Sequence, residues 1–198
     1  MTEVLLHSCC APCSSAIIEW MLQNDYRPTI FYFNPNIFPQ TEYIIRKNEC
    51  KRYAQNLGLT MIDGDYNHTT WRETVKGLEM EPERGARCQV CFYMRLAETA
   101  RVAAERGIRL FTTTLASSRW KDLVQIEKAG RAAQALYPTT EFWDKNWRKG
   151  GLQQRRNELL KANDFYNQLY CGCEFSMRRL PTEECQRLLT QACPLELK

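Results

Sequence analysis

The first 63 residues alternate between β-rich apolar runs and helical patterns, and this alternation restricts the fold more than any other feature. The apolar runs cover residues 4–6, 29–33 and 59–62, and residues 14–22 and 40–57 between them have helical apolar spacing. Strands that alternate with helices usually pair in parallel through right-handed crossovers. The sequence therefore predicts an α/β fold, with a parallel sheet flanked by helices.

The alternation continues in the second half and then weakens. Residues 64–87 are less regular, a helix is predicted from Cys88 to near Gly107, a strand over 109–115 and a helix over 119–136. The last quarter is aromatic and basic, with a short helix after Pro181. Because 198 residues suit one domain and no linker stands out, we predict a single domain over 1–198, with residues from about 140 to 198 as a helical extension.

Composition points to a cytoplasmic protein. No apolar run is long enough for a membrane span, and the first residues lack the pattern of a secretory signal. In the cytoplasm thiols stay reduced, so clustered cysteines indicate metal binding or redox catalysis more often than structural disulfides. The net charge of +4 permits a nucleic-acid partner without requiring one.

Seven of the ten cysteines fall into three tight groups, while Cys50, Cys185 and Cys193 are isolated and predicted to be buried core residues. The groups are Cys9, Cys10 and Cys13; Cys88 and Cys91; Cys171 and Cys173. The first follows a predicted strand, where open α/β sheets bind ligands. Seven thiols exceed the four that a closed zinc site needs. They indicate a four-thiolate centre with further thiols free to react, and a purely structural zinc is the main alternative.

Cys171-Gly172-Cys173 permits two interpretations. Two cysteines around a glycine can close a small strained disulfide, and strained, accessible disulfides are the catalytic ones. Alternatively, one or both thiols bind metal.

Four motifs together resemble the QueH-type epoxyqueuosine reductase family, in order from about residue 4 to residue 176. They are His7-Ser8-Cys9-Cys10-Ala11-Pro12-Cys13, Asn34-Pro35-Asn36-Ile37, Gly85-Ala86-Arg87-Cys88-Gln89-Val90-Cys91 and Tyr170-Cys171-Gly172-Cys173. The resemblance implies an iron–sulfur enzyme that reduces epoxyqueuosine to queuosine in the tRNA anticodon loop, the last step of queuosine biosynthesis. It also implies an adenine-nucleotide-hydrolase-like (PP-loop/HUP-like) architecture. Cysteines replace the glycine and serine that cradle phosphates in that superfamily, so ATP use is not expected.

The same resemblance assigns roles to the thiols. It implies Cys9, Cys10, Cys88 and Cys91 as ligands of a 4Fe–4S cluster, with Cys171 and Cys173 as a redox-active pair. It leaves open a second, mononuclear iron, with Cys13, Cys171 or Cys173 as sulfur ligands and Asp65 as an oxygen ligand. Asp65 fits a turn or helix-cap aspartate equally well.

The aromatic and basic stretch after residue 140 is a candidate tRNA surface, with Trp147, Arg148, Arg155 and Arg156 as its predicted contacts. It also contains Trp143, Tyr166, Tyr170, Lys145 and Lys149. Aromatic rings can stack on unpaired bases and basic side chains can meet phosphates. The alternative is that these are core aromatics beside a solvated basic helix. His7, next to the first cysteine group, could act as an acid, but a packed histidine is the stronger prediction.

Two other functions compete with the reductase. One is a PP-loop-type tRNA sulfur-transfer enzyme, against which the lost glycine-rich loop argues. The other is a zinc-stabilised RNA-binding module, which would be colourless when purified. The sequence identifies neither the electron donor nor the oligomeric state.

Overall fold

The computed structural model describes residues 1–197 and contains a parallel sheet of five strands. The strands are β1 (Thr2–His7), β2 (Tyr26–Tyr32), β3 (Met61–Asp63), β4 (Leu110–Thr113) and β5 (Glu141–Phe142). Their order is β3-β2-β1-β4-β5, and every neighbouring pair is parallel. The predicted parallel sheet is confirmed. The two residues of β5 are too few for a recognisable sequence pattern, and that strand was not predicted.

Within residues 1–197, seven α-helices connect and cover the strands. They are α1 (Ala11–Gln23), α2 (Gln40–Asn56), α3 (His68–Thr74), α4 (Ala86–Glu105), α5 (Leu123–Leu136), α6 (Leu152–Ala162) and α7 (Thr182–Thr190). α1 packs against α2 and α6, and α4 packs against α3 and α5. Two short 3-10 helices, Thr114–Ser117 after β4 and Glu174–Arg179 before α7, are also present. In the part of the chain predicted as a helical extension, α6 and α7 are helical, whereas its first residues form β5 and pair with β4.

The central strand β1 explains why the apolar run near the N-terminus is continuous. Val4, Leu5 and Leu6 are fully buried, because both faces of the middle of a parallel sheet are covered. β1 pairs with β2 on one side and with β4 on the other. After β1 the chain continues to β2, whereas after β4 it continues towards β5. The boundary between β1 and β4 is therefore the switch point of the sheet, where ligand sites of this architecture lie.

Two helix starts differ from the sequence prediction, and both differences concern this edge of the sheet. α1 begins at Ala11 rather than near Ser14, because Pro12 suits the first turn of a helix and Cys10 takes the N-cap position. α5 begins at Leu123 rather than at residue 119. The Asp122 carboxylate accepts a hydrogen bond from the backbone N–H of Val124 at 2.8 Å and caps the helix there.

The residues before that cap, 118–121, form a loop at the carboxyl edge of the sheet. No helix within residues 1–197 has the length and apolarity needed to span a membrane.

Candidate metal centre

The first cysteine group lies where β1 ends and α1 begins. The sulfur atoms of Cys9, Cys10 and Cys13 all lie within 4.8 Å of one another, and those of Cys9 and Cys10 are 3.8 Å apart. Thiolates about 2.3 Å from one tetrahedral ion have sulfurs about 3.8 Å apart, so this spacing suits metal binding. The N-terminus of α1 adds unpaired N–H groups and a positive helix dipole, which favour thiolates. These three cysteines can hold a metal ion.

Two polar side chains that sequence reasoning missed hold the three thiols in place. The backbone N–H of Cys9 donates to the Thr114 hydroxyl oxygen at 3.1 Å, and that hydroxyl lies 3.3 Å from the Cys9 sulfur. The Gln168 amide nitrogen lies 2.8 Å from the Cys10 sulfur and 3.6 Å from that of Cys13. Neither residue belongs to a recognisable motif, so only the folded chain shows their role.

The three thiols differ in acidity. Hydrogen bonds with Cys10 and Cys13 hold the pKa of Cys9 well below its ordinary value, against the effect of burial, and the nearby Lys121 lowers it further. Burial is the main reason that the pKa of Cys10 is raised. Without metal, the group therefore contains one favoured thiolate at Cys9. A bound metal ion would deprotonate the others.

Lys121 lies beside thiols from two of the three cysteine groups. Burial alone would lower the pKa of Lys121, but the negative charge that Cys171, Cys9 and Cys13 carry when ionised outweighs burial and raises it. Lys121 is therefore charged at neutral pH and supplies a positive charge among these sulfurs. The sequence pattern gave no signal for this residue, because it placed Lys121 inside a helix.

The second and third cysteine groups meet on the other side of the site. Cys88 lies in the first turn of α4 and Cys91 one turn later, and the backbone N–H of Arg84 donates to the Cys88 sulfur at 3.3 Å. Cys91 and Cys173 are buried and pack with Trp71. Cys171 is half-buried.

One cavity joins the three groups. It has a volume of about 680 Å³, and the thiol-bearing residues that line it are Cys9, Cys13, Cys88 and Cys171. The fold thus gathers cysteines that are tens of residues apart in the chain around a common space.

The Cys171-Gly172-Cys173 loop is fixed by α2. The buried guanidinium of Arg46 pairs with Glu42 at 2.7 Å and donates to the carbonyls of Tyr170 and Cys171 at 3.2 and 3.3 Å. The backbone N–H of Phe38 donates to the Gly172 carbonyl at 2.9 Å. Arg46 is a further residue that the sequence did not indicate, since a basic residue in a polar helix usually faces solvent.

His7 is buried beneath the site. Its Nδ1 lies 2.8 Å from the Thr113 hydroxyl oxygen, and its Nε2 lies 3.1 Å from the Phe33 carbonyl oxygen. Burial, and secondly the charge of Arg95, lower the pKa of His7 to about 3. His7 is therefore neutral at physiological pH and packed between strands, so the prediction of a packed histidine is confirmed.

The prediction that Trp147 contacts tRNA is wrong. Trp147 is fully buried, and its indole nitrogen lies 3.3 Å from the Thr112 hydroxyl oxygen. The Lys145 ammonium lies 3.2 Å from the ring centroid of Trp20 and near the rings of Trp143 and Trp147. This part of the aromatic and basic stretch packs on itself, which is the alternative that the sequence left open.

All three predicted tRNA-binding arginines have partners within the chain. Arg155 pairs with Glu19 and Glu158, both at 2.8 Å. Arg148 donates to the carbonyls of Ser118 and Lys121. Neither arginine is free to contact a phosphate, because the charge of Arg155 is paired with carboxylates and the N–H donors of Arg148 are bonded to backbone carbonyls. Arg156 donates to the side-chain oxygens of Asn157 and Asn167 at 3.0 and 3.3 Å, but these partners are uncharged, and Arg156 lines the cavity.

Asp65 and two of the three isolated cysteines also deviate from expectation. Asp65 is exposed and, within the described part of the chain, belongs neither to the thiol group nor to the cavity lining. The structure therefore does not support Asp65 as a ligand beside these thiols. Cys50 is buried as predicted, Cys185 is half-buried and Cys193 is exposed.

Three comparisons relate this chain to known proteins. Residues 4–179 match the family model described as epoxyqueuosine reductase QueH. Among curated relatives named epoxyqueuosine reductase QueH, the one from Histophilus somni is 48% identical over 176 residues, covering 89% of this chain and 72% of the relative. The one from Thermotoga maritima is 36% identical over 180 residues, covering 89% of this chain and 91% of the relative.

A solved structure is similar in fold alone. It is a predicted subunit of tRNA methyltransferase from Methanocaldococcus jannaschii, with a TM-score of 0.57, 11% identity and coverage of 85% of this chain and 94% of that chain.

Proposed function

Because this chain belongs to the epoxyqueuosine reductase QueH family, we propose how its thiols and its cavity serve the reductase reaction. The protein is an oxidoreductase of that family, and epoxyqueuosine is its substrate. The observation that carries the proposal is the cavity of about 680 Å³ into which three cysteine groups converge. A nucleoside-sized ligand fits a pocket of this volume.

The cysteine groups are proposed to hold a 4Fe–4S cluster with Cys9, Cys10, Cys88 and Cys91 as its ligands. Two of these cysteines lie at the start of α1 and two in the first turns of α4, where helix N-termini favour thiolates. Such a cluster, when bound, supplies single electrons. Cys13 shares the space of Cys9 and Cys10, which makes it the competing ligand, or with Cys171 a ligand of an additional mononuclear iron.

Cys171 and Cys173 are proposed to supply the two electrons as a redox-active pair. Removing the epoxide oxygen to leave an alkene consumes two electrons and two protons, and the oxygen leaves as water. Oxidation of two thiols to one disulfide releases two electrons and two protons, so the step balances. An external reductant, not yet identified, would then restore the thiols. Cys171 faces the cavity, and burial raises the pKa of Cys173 to about 12, which keeps its proton in place before reaction.

Lys121 is proposed to assist at the epoxide oxygen. Lys121 lines the same cavity as Cys9, Cys13 and Cys171, and the charge of these cysteines, when ionised, raises its pKa. A fixed positive charge there stabilises the negative charge that develops on oxygen as the C–O bond breaks.

The proposed partner is tRNA carrying epoxyqueuosine in its anticodon, which places the reaction in the cytoplasm. We also treat residues 1–198 as one functional unit. Gln168 and Cys171, from the C-terminal part, reach the thiols and the cavity of the N-terminal part.

The test uses protein purified and reconstituted without oxygen, with tRNA that contains epoxyqueuosine and a chemical reductant. Wild-type protein should be brown and should convert epoxyqueuosine to queuosine, measured by mass spectrometry of the digested nucleosides. Cys88→Ser should lose both colour and activity, and Cys173→Ser should keep the colour and lose activity. Cys193→Ser, at an exposed position, is the control and should behave as wild type.

Two outcomes would contradict the proposal. Undiminished turnover by Cys173→Ser would exclude the redox pair. Colourless wild-type protein loaded with zinc, without turnover, would instead favour the zinc-stabilised RNA-binding module.

A further inference from the structure

The cavity that contains the thiols has a strongly basic lining. Six basic side chains line it, and two of them are ion-paired: Arg46 with Glu42 behind the lining at 2.7 Å, and Arg179 with the lining residue Glu83 at 2.9 Å. The six are Arg46, Arg84, Arg119, Lys121, Arg156 and Arg179. A concave surface of one charge concentrates ligands of the opposite charge. The walls therefore suit a substrate that brings phosphates with it.

The loop over residues 118–121 forms one wall, and two arginines fix its backbone. Arg148 donates to the carbonyls of Ser118 and Lys121, each at 2.5 Å. Arg84 donates to the carbonyls of the two residues between them, Arg119 at 3.1 Å and Trp120 at 2.9 Å. Four consecutive carbonyls thus point to guanidinium groups, and the loop is held in one conformation before any ligand binds.

This fixed loop presents the side chain of Trp120 to solvent. Trp120 is 66% exposed, whereas the other four tryptophans are buried or half-buried. The Arg119 guanidinium lies over one face of the Trp120 ring, with its carbon 5.0 Å from the ring centre. An exposed indole on a rigid support, with cations beside it, is the arrangement that proteins use to stack unpaired bases.

We infer that the 118–121 loop is the docking surface for the anticodon loop, where Trp120 stacks on an unpaired base next to the reacting nucleotide. Arg119 and Arg156, on the same cavity wall and rim, contact the adjoining phosphates. The inference rests on the proposed function and identifies the part of the protein that reads the RNA. It replaces the surface around Trp147, which is buried.

Unpaired nucleotides are the occupant that fits this surface. A stacking platform needs the free face of a base, and a base-paired stem has none to offer except at its end. The thiols lie inside the cavity while Trp120 lies at its exposed edge. A base on Trp120 would therefore leave the neighbouring nucleotide free to enter.

The test measures binding of a fluorescently labelled anticodon stem–loop RNA by anisotropy, with the reconstituted holoenzyme. Trp120→Ala should weaken binding by about 5- to 150-fold, the range measured when a stacking aromatic is truncated. Trp120→Phe should retain most of the affinity. The control Tyr93→Ala removes an exposed aromatic that does not line the cavity, and it should bind as wild type. Unchanged circular dichroism would show that each variant is folded.

Salt dependence separates stacking from charge. Arg119→Ala should reduce the slope of log K against log salt by about 0.7, the value for one single-strand phosphate contact. Trp120→Ala should lower affinity at every salt concentration and leave that slope unchanged.

The inference and the proposed function fail in different ways. If the wild type neither binds nor reduces RNA that contains epoxyqueuosine, the proposed function fails and the inference with it. If the wild type reduces that RNA and Trp120→Ala binds it with unaltered affinity, the inference alone is overturned.

Discussion

Two tryptophans with opposite environments should respond oppositely to truncation. Trp147→Ala removes a fully buried indole that hydrogen-bonds Thr112, and we expect the free energy of unfolding to fall by about 3–5 kcal/mol. Trp120→Ala removes an exposed indole and should change it by less than about 0.5 kcal/mol. Urea denaturation of the two variants measures both values. Equal losses would show that one of the two environments is wrongly assigned.

The thiols near the N-terminus of α1 should react in a defined order in metal-free protein. Cys9 is half-buried and its pKa is lowered, first by hydrogen bonds with Cys10 and Cys13, whereas burial raises the pKa of Cys10. Because the thiolate is the nucleophile, Cys9 should be alkylated by iodoacetamide before Cys10 at pH 7. Peptide mass spectrometry at successive times gives the order.

Lys121 should contribute to the low pKa of Cys9 and so to the pH at which Cys9 becomes reactive. A positive charge favours the thiolate, so removing the charge raises the pKa of Cys9. In Lys121→Met the pH–rate profile of Cys9 alkylation should move to higher pH. Lys121→Arg keeps the charge and serves as the control. A profile that stays in place in Lys121→Met would show that Lys121 does not act on Cys9.

The conformation of the Cys171-Gly172-Cys173 loop depends on its glycine. Gly172 has φ of +103°, and an added Cβ would lie 2.9 Å from Ile37 and 3.0 Å from the Arg46 guanidinium. Gly172→Ala should therefore cost about 1–3 kcal/mol in backbone strain, in addition to displacing Cys171 and its neighbours. Reductase activity should fall sharply, because the proposed redox pair moves with the loop.

A second glycine, Gly77, serves as a control that separates the effect of backbone strain from the effect of displacing the 171–173 loop. Gly77 also has a positive φ, of +83°, but an added Cβ meets nothing within 4 Å. Gly77→Ala should lower stability through strain alone and leave the reductase rate unchanged. If both variants retained activity, the position of the 171–173 loop would not matter to the reaction.

The elements with strong periodicity were predictable, and their ends were not. β1 is recognisable because both of its faces are buried, so its residues are apolar in succession. α4 is recognisable because one stripe along the helix is buried, so its apolar residues recur with helical spacing. The start of α5 was misplaced by four residues, because periodicity cannot show that the Asp122 carboxylate caps the helix. That error concealed the loop that carries Trp120 and Lys121.

The candidate site likewise has one part that the sequence predicts and one part that it does not. Its cysteines were predictable since they occur in close groups that no core requires. Thr114, Arg46 and Gln168 are single polar residues, tens of positions from the thiols or the loop that they hold. Only tertiary contacts give them a role, so no local pattern could reveal them.

At the scale of the whole molecule, the thiols connect distant parts of the chain. They come from the β1–α1 junction, from the start of α4 and from the loop before the Glu174–Arg179 segment. A metal centre bound by several of these groups would link α1 to α4 in the folded state. It would have no comparable site in the unfolded chain, so metal binding should stabilise the fold.

Removing the metal should therefore lower the melting temperature. A ligand present at 100 times its dissociation constant stabilises the folded state by about 2.7 kcal/mol, so iron-loaded protein should melt several degrees above metal-free protein, measured by calorimetry without oxygen. Cys9→Ala and Cys88→Ala each remove a proposed ligand and should abolish this difference. Cys193→Ser should retain it, because Cys193 is exposed and outside the three groups. If Cys9→Ala lost the difference and Cys88→Ala kept it in full, the metal would be held by the group at the start of α1 alone, and the four-cysteine assignment across α1 and α4 would be wrong.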